Sequence, residues 1–129
     1  MSEVRSEHFA GFGGTELALH RLGAGRPVIL LHGLFSDAEM NWIRFGHAQQ
    51  LAEAGFEALV PDLRAHGASA KPHDPDAYPS DVLVRDAEAL MAHLALTQFD
   101  LVGFSLGART AVRAVLAGLR PRGLVLGGM

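Results

Sequence analysis

The stretch Phe99-Asp100-Leu101-Val102-Gly103-Phe104-Ser105-Leu106-Gly107 decides the fold of this chain. Its opening residues are typical of a strand, and the alanine-rich segment from Leu106 to Ala117 is typical of a helix. Between them stands a G-x-S-x-G pattern, which places a serine in the turn from strand to helix. The sequence therefore predicts a strand, a sharp turn at Ser105 and a helix in direct succession.

A serine in such a turn has unfavourable backbone angles, so its hydroxyl stands clear of the sheet. Strand and helix pass close together there, and Gly103 and Gly107 supply the small residues that this approach requires. The N–H groups at the start of the helix favour developing negative charge near the serine. The pattern indicates a nucleophilic serine; the alternative is a tight turn that carries no chemistry.

The rest of the chain alternates between strand-like and helix-like segments. Alternation of this kind predicts an α/β fold with a mostly parallel sheet, an N-terminal antiparallel hairpin and helices on both faces. Gly13-Gly14 suits the hairpin turn. The predicted strands are 8–12, 15–22, 28–31, 56–60, 99–104 and 123–126, and the predicted helices are 38–54, one beginning at Ser80 or Asp81, and 106–117.

Composition limits the classes of function. The 129 residues are 49% hydrophobic and 19% charged, which suits a single globular domain. A net charge of −3 gives no basic field, so we expect no nucleic-acid partner. Cysteine is absent, which excludes disulfides and a cysteine nucleophile. The polar first residues lack the apolar region of a signal peptide, and no apolar run is long enough to cross a membrane, so we expect a cytoplasmic protein.

The pair His32-Gly33 directly follows the predicted strand 28–31. A glycine here lets the backbone turn toward the same pocket as Ser105, so that the N–H groups of Leu34 and Leu106 can face an oxyanion. An ordinary strand-to-helix turn is the alternative. We expect His32 to be structural rather than a general base.

The segment Pro61-Asp62-Leu63-Arg64-Ala65-His66-Gly67-Ala68-Ser69 opens a long polar loop. Asp62 and Arg64 are expected to pair, and Ser69 to bond the loop backbone. Organisation of the loop is favoured over a catalytic role, and His66 is expected in a solvated position. His66, His73 and nearby aspartates are expected to face water, so neither a metal site nor a cofactor is predicted.

Taken together and in this order, the three motifs resemble those of the α/β-hydrolase superfamily, over essentially the whole chain. The resemblance implies that Ser105 is the nucleophile and that the backbone N–H groups of Leu34 and Leu106 form the oxyanion hole. Ala65 replaces the first glycine of the family's usual Asp-x-Arg-Gly-x-Gly-x-Ser. In this family the strand-to-helix turn that carries the nucleophile is called the elbow. Dehalogenases and epoxide hydrolases of the superfamily carry aspartate at the elbow, so Ser105 favours the branches that act on a carboxylic ester or a related carbonyl of a small molecule.

The family's catalytic acid and histidine follow the serine in the chain. No Asp, Glu or His follows Ser105 here. We therefore expect residues 1–129 to be a single partial α/β-hydrolase domain, truncated at its C-terminus and inactive alone. An open sheet edge would then favour self-association.

Two other classes of function fit part of the sequence pattern. A non-catalytic hydrolase-like module that binds a small ligand or a partner would also fit a chain without the acid and histidine. A nucleotide-binding domain fits the alternating pattern, but both G-x-G-x-x-G after the strand 28–31 and G-x-x-x-x-G-K-[ST] are missing from the sequence.

Overall fold

A computed structural model describes residues 3–128 and places six strands in one sheet. The strands are β1 (Arg5–Ala10), β2 (Glu16–Gly23), β3 (Arg26–Leu31), β4 (Phe56–Pro61), β5 (Asp100–Phe104) and β6 (Gly123–Gly127). Their order in the sheet is β1-β2-β4-β3-β5-β6. β1 pairs antiparallel with β2, and β2 pairs antiparallel with β4. The remaining pairs, β3–β4, β3–β5 and β5–β6, are parallel. The predicted fold class is therefore confirmed.

Helices cover both faces of this sheet. The α-helices are α1 (His47–Glu53), α2 (Val82–Leu94) and α3 (Leu106–Leu116); shorter pieces are a π-helical turn (Glu39–Ile43) and two 3₁₀ turns (Phe12–Gly14 and Pro75–Ala77). Ile29 and Leu31 belong to the core that contains residues of α2 and α3, whereas Val28 and Leu30 belong to the core that contains Ala48 of α1. Because successive side chains of a strand point to opposite faces, β3 is buried on both sides, as its unbroken apolar run predicts.

The predicted continuous helix over 38–54 is wrong. The segment forms the π-helical turn, then a break, and only then α1. Gly46 has a φ of +88°, a left-handed conformation that ends one helical piece before the next begins. Asp37 caps the first piece as expected, since its Oδ1 accepts the N–H of Met40 at 2.7 Å.

The N-terminal hairpin forms as predicted, but its turn is longer than two residues. Gly13 and Gly14 have φ values of +67° and +78° and lie in the 3₁₀ turn between the strands. The Gly11 N–H donates to the Thr15 carbonyl at 2.8 Å, which closes the turn. The hairpin places β2 beside β4, and β4 leads into the loop that contains Asp62 and Arg64.

Within residues 3–128, β6 pairs only with β5, so its other edge is open. Three of its side chains are exposed, with Leu124 at 41%, Val125 at 62% and Leu126 at 38%. An open edge with exposed apolar side chains is a surface on which strands of other molecules pair.

None of the described helices is both long and apolar enough to cross a membrane.

We predict that this chain self-associates through β6 and that Val125→Lys shifts it toward monomer, because a charge on an edge strand disfavours edge-to-edge pairing. Size-exclusion chromatography with light scattering measures the effect. Gln50→Lys, on the exposed surface of α1, is the matched control and should leave the distribution unchanged. A compact wild-type monomer at all concentrations would contradict the prediction.

Candidate active site

Ser105 lies between the end of β5 and the start of α3, in the turn that the sequence predicts. Its φ of 56° and ψ of −115° are unfavourable for a residue with a Cβ. The Ser105 N–H donates to the Gly127 carbonyl of β6 at 2.9 Å, and the Arg109 N–H bonds the Ser105 carbonyl at 3.1 Å. Its backbone is therefore held from both sides, while its hydroxyl contacts no hydrogen-bond partner in the described part of the chain.

Two glycines allow the close approach that produces this turn. A Cβ on Gly103 would collide with the carbonyl of Gly107, 2.6 Å from its carbon atom. A Cβ on Gly107 would collide with the end of β3, at 2.6 Å from the Leu31 carbonyl carbon and 2.8 Å from the His32 carbonyl oxygen. Backbone cannot move aside as a flexible side chain can, so both positions require glycine. The start of α3 therefore lies directly against the end of β3.

We predict that Gly107→Ala lowers the free energy of unfolding by about 1–3 kcal/mol or more, because its Cβ overlaps fixed backbone. Urea unfolding measures the difference. Gly33→Ala is the matched control, since its Cβ would meet nothing closer than 3.4 Å, and we expect a change of less than about 1 kcal/mol. Equal stability of the two variants would contradict the close approach.

The loop after β3 turns sharply beside Ser105. The Ser36 N–H donates to the Gly33 carbonyl at 3.2 Å, which closes a four-residue turn, and Phe35 in that turn has a φ of 61°. A Cβ built on Gly33 would lie 3.4 Å from the Ser105 Cβ. The structure thus brings the His32-Gly33 motif and the serine together, with Leu34 in the turn between Gly33 and Phe35.

The neighbours of Leu34 have hydrogen-bond acceptors for their N–H groups. Gly33 donates to Asn41 Oδ1 at 2.9 Å, and Phe35 donates to His66 Nε2 at 3.1 Å. Sequence reasoning missed Asn41, because the π-helical turn that carries it has no pattern distinct from that of an α-helix. It assigned His66 to a solvated loop, whereas the side chain is half-buried against the turn.

His32 is fully buried, and both of its ring nitrogens are engaged. Its Nε2 accepts the Leu63 N–H at 2.9 Å, so the proton is on Nδ1, which donates to the Gly33 carbonyl at 2.8 Å. Burial lowers the pKa of His32, because desolvation disfavours the charged imidazolium. Its hydrogen bonds thus link the ends of β3 and β4 and leave no free nitrogen for the Ser105 proton.

The predicted pairing of Asp62 with Arg64 is wrong. Arg64 is buried and forms a two-bond pair with Asp86 of α2, at 2.9 Å from Nε and 2.8 Å from Nη2. Its other N–H groups donate to Thr15 Oγ1, the Ala77 carbonyl and the Phe12 carbonyl. All five guanidinium donors are therefore satisfied, which a buried cation requires. Arg64 joins the hairpin turn, the long loop and α2.

Asp62 instead binds the loop after β3 and the strand β2. Its Oδ1 accepts the Ala38 N–H at 2.8 Å, and its Oδ2 accepts the Ala68 N–H at 3.1 Å and lies 2.8 Å from His20 Nε2. Burial would raise the pKa of Asp62, but the bonds from His20 and the two N–H groups outweigh it and lower the pKa. The carboxylate therefore stays charged and fixes both loops.

Ser69 bonds the loop backbone, as the sequence predicts. Its hydroxyl donates to the Asp62 carbonyl at 2.6 Å and accepts the Ala18 N–H at 2.8 Å.

Among residues 3–128, no group of three or more His, Asp or Glu side chains is placed to hold a metal ion.

The hydrogen bond with Asp62 raises the pKa of His20 above its ordinary value of 6.5. A pKa that is higher in the folded state stabilises the fold fully below pH 6.5, and this contribution is lost as the pH rises through the folded-state pKa. We predict that His20→Asn removes this alkaline loss from a series of urea unfolding curves. His73→Asn, an exposed histidine of the long loop, is the control and should retain it. Identical pH profiles for wild type and His20→Asn would contradict the prediction.

Comparison with known proteins assigns the class. Residues 26–121 match the family model for the alpha/beta hydrolase fold, and the chain belongs to this family. An epoxide hydrolase from Caballeronia sordidicola is 35% identical in an alignment that covers 84% of this chain and 31% of the relative. A non-heme haloperoxidase from Rhodococcus erythropolis is 36% identical over 79% of this chain and 35% of the relative.

Solved structures agree with this assignment. An esterase from Exiguobacterium antarcticum superposes with a TM-score of 0.81 and 26% identity, over 92% of this chain and 43% of the esterase. The chain thus spans about a third of the curated relatives' length, at 31% and 35% for the two named above. Its relatives are hydrolases and haloperoxidases of the same fold.

Proposed function

We propose that Ser105 is the nucleophile of a serine hydrolase that acts on a carboxylic ester or a related carbonyl of a small molecule. The observation that carries this proposal is the backbone of Ser105, which has a φ of 56° and a ψ of −115° at the start of a helix. Strained backbone persists where the surrounding structure enforces it, and it is concentrated at active sites. Here Gly103, Gly107 and the Gly127 carbonyl enforce it.

In the proposed reaction, Ser105 Oγ forms a bond to the substrate carbonyl carbon while its proton passes to a general base. The carbonyl oxygen becomes an oxyanion, which the N–H groups of Leu34 and Leu106 stabilise. Leu106 is the first residue of α3, and the first N–H groups of a helix have no partner within it. Collapse of the intermediate breaks the ester C–O bond, and the alcohol leaves with the proton that the base returns. The acyl group stays on Ser105 until water hydrolyses it.

The residue at the elbow separates this proposal from the activity of some relatives. Several are named epoxide hydrolases, and the branches of the superfamily that open epoxides carry aspartate where this chain has Ser105. A serine ester is the expected intermediate of acyl transfer. The solved esterase of similar fold is consistent with this branch.

Apolar side chains beside the serine suggest the kind of acyl group. Phe35 is 89% exposed and Leu34 is 54% exposed, on the turn whose Gly33 lies against Ser105. Phe104, directly before the serine, is also exposed. We propose that these side chains contact an apolar acyl group, and that the protein acts on it in the cytoplasm.

The test is labelling of the gene product extended beyond Met129 with a fluorophosphonate probe, which phosphonylates an activated serine. We expect one adduct at Ser105, and Ser105→Ala should abolish it and lower esterase activity by on the order of 10⁶-fold. Ser36→Ala, at a serine in the adjacent turn, is the control and should retain the adduct. An unlabelled Ser105 in a product that contains an intact downstream histidine would refute the proposal.

A non-catalytic binding module is the second candidate. It is favoured by one observation: within residues 3–128, no histidine or carboxylate bonds the Ser105 hydroxyl, and an unassisted serine is a weak nucleophile. Sequencing of the source DNA past codon 129 separates the two candidates. An in-frame stop at that point, with a soluble folded product, would favour the binding module.

A further inference from the structure

We infer that Asn41 and His66 are positioning residues that hold the turn 33–36 so that the Leu34 N–H is presented beside Ser105. This inference rests on the proposed function, because it concerns the donor that would stabilise the oxyanion. The evidence is the pattern of backbone donors in the turn. Of the four successive N–H groups from Gly33 to Ser36, three have acceptors among residues 3–128, and the Leu34 N–H has none.

Asn41 reaches the turn from the π-helical segment. The Arg44 N–H donates to the Glu39 carbonyl at 2.7 Å, five residues earlier, which is the wide turn that defines a π-helix. Such turns redirect side chains and occur often at functional sites. Here Asn41 Oδ1 accepts the Gly33 N–H at 2.9 Å. A Cβ on Gly33 would lie 3.6 Å from Asn41 Oδ1 and 3.4 Å from Ser105 Cβ, so Asn41 and Ser105 pack against the same glycine.

His66 reaches the turn from the loop after β4. Its Nε2 accepts the Phe35 N–H at 3.1 Å, and its Nδ1 therefore carries the proton and donates to the Arg64 carbonyl at 2.8 Å. Phe35 is in the left-handed region with a φ of 61°, which is unfavourable for a residue with a Cβ. The bond to His66 offsets this strain and fixes the residue that directly follows Leu34.

His32 and His66 connect the loop after β3 with the loop after β4, and each accepts a hydrogen bond from the loop that carries the other. His32 of the first loop accepts the N–H of Leu63 in the second, and His66 of the second accepts the N–H of Phe35 in the first. The centroids of the two imidazole rings lie 5.0 Å apart. Because Arg64, whose carbonyl bonds His66, is itself anchored by Asp86, the support for the turn extends to α2. The direction of the Leu34 N–H is thus set by contacts on both sides of it.

The first part of the test uses NMR and needs no activity; the 129-residue chain is kept at a concentration at which light scattering shows it to be monomeric. In the wild type we expect an NOE between the Leu34 amide proton and the Ser105 β protons, and a scalar coupling across the hydrogen bond from Phe35 N to His66 Nε2. His66→Gln and Asn41→Asp keep an acceptor oxygen and should keep the NOE. His66→Leu and Asn41→Leu remove the acceptor and should lose it, whereas His73→Leu, the matched control, should not.

Retention of the NOE in both leucine variants, if they fold, would refute the positioning role of Asn41 and His66. If the leucine variants do not fold, the wild type still decides. Absence of the Phe35–His66 coupling, with Gly33 and Phe35 amides that exchange as fast as that of Leu34, would then refute it.

The second part uses the extended gene product. Loss of one oxyanion donor costs about 10²–10³-fold in kcat, so His66→Leu should lower kcat by up to this factor with little change in KM, and His66→Gln should restore most of it. If Ser105 is not labelled in the wild type while the NMR contacts are present, the proposed hydrolase activity fails and the positioning of the turn stands. If Ser105 is labelled and His66→Leu retains wild-type kcat, the positioning role fails and the hydrolase stands.

Discussion

The structure depends on one close approach, that of the first turn of α3 to the ends of β3 and β5. Neither Gly103 nor Gly107 has room for a Cβ, because backbone carbonyls occupy the space. β5 is therefore joined to α3 through Ser105 alone, with no longer loop between them. The unfavourable φ and ψ of Ser105 produce the sharp bend. The same approach places the end of β3, and with it the turn 33–36, against the serine. Nucleophile and proposed oxyanion donor are thus brought together by packing of the backbone.

Buried polar groups then fix the loops that this packing brings close. Asp62, Arg64 and His32 are almost fully buried, and burial of such groups is costly unless hydrogen bonds satisfy them. Asp62 accepts N–H groups from both loops, and Arg64 uses all five of its donors. His32 and His66 complete the connection between the loop after β3 and the loop after β4. The walls of the candidate site are thus loops that buried hydrogen bonds hold in place, without regular secondary structure.

Local signals were sufficient for the fold and for the position of the serine. Alternation of strands and helices, the unbroken apolar run of β3 and the glycines around Ser105 each act over a few residues, so the sequence predicts their result. Tertiary pairings were not predictable in this way. Arg64 pairs with Asp86, 22 positions away, and Asp62 contacts His20, 42 positions away. The closeness of Asp62 and Arg64 in the chain had instead favoured a pair between these two residues. The helix over 38–54 failed as a prediction because its break at Gly46 and its π-helical turn produce no change in hydrophobic spacing. Asn41 was missed for the same reason.

The proposed site depends on the backbone at residue 105, and a high-resolution crystal structure of the protein measures that backbone directly. We predict a positive φ near 56° and a ψ near −115° at Ser105, its hydroxyl outside the helix, and a Gly33 so placed that an added Cβ would touch the Ser105 Cβ. A Ser105 with negative φ inside a regular helix, or a turn 33–36 that lies away from Ser105, would contradict the proposed site.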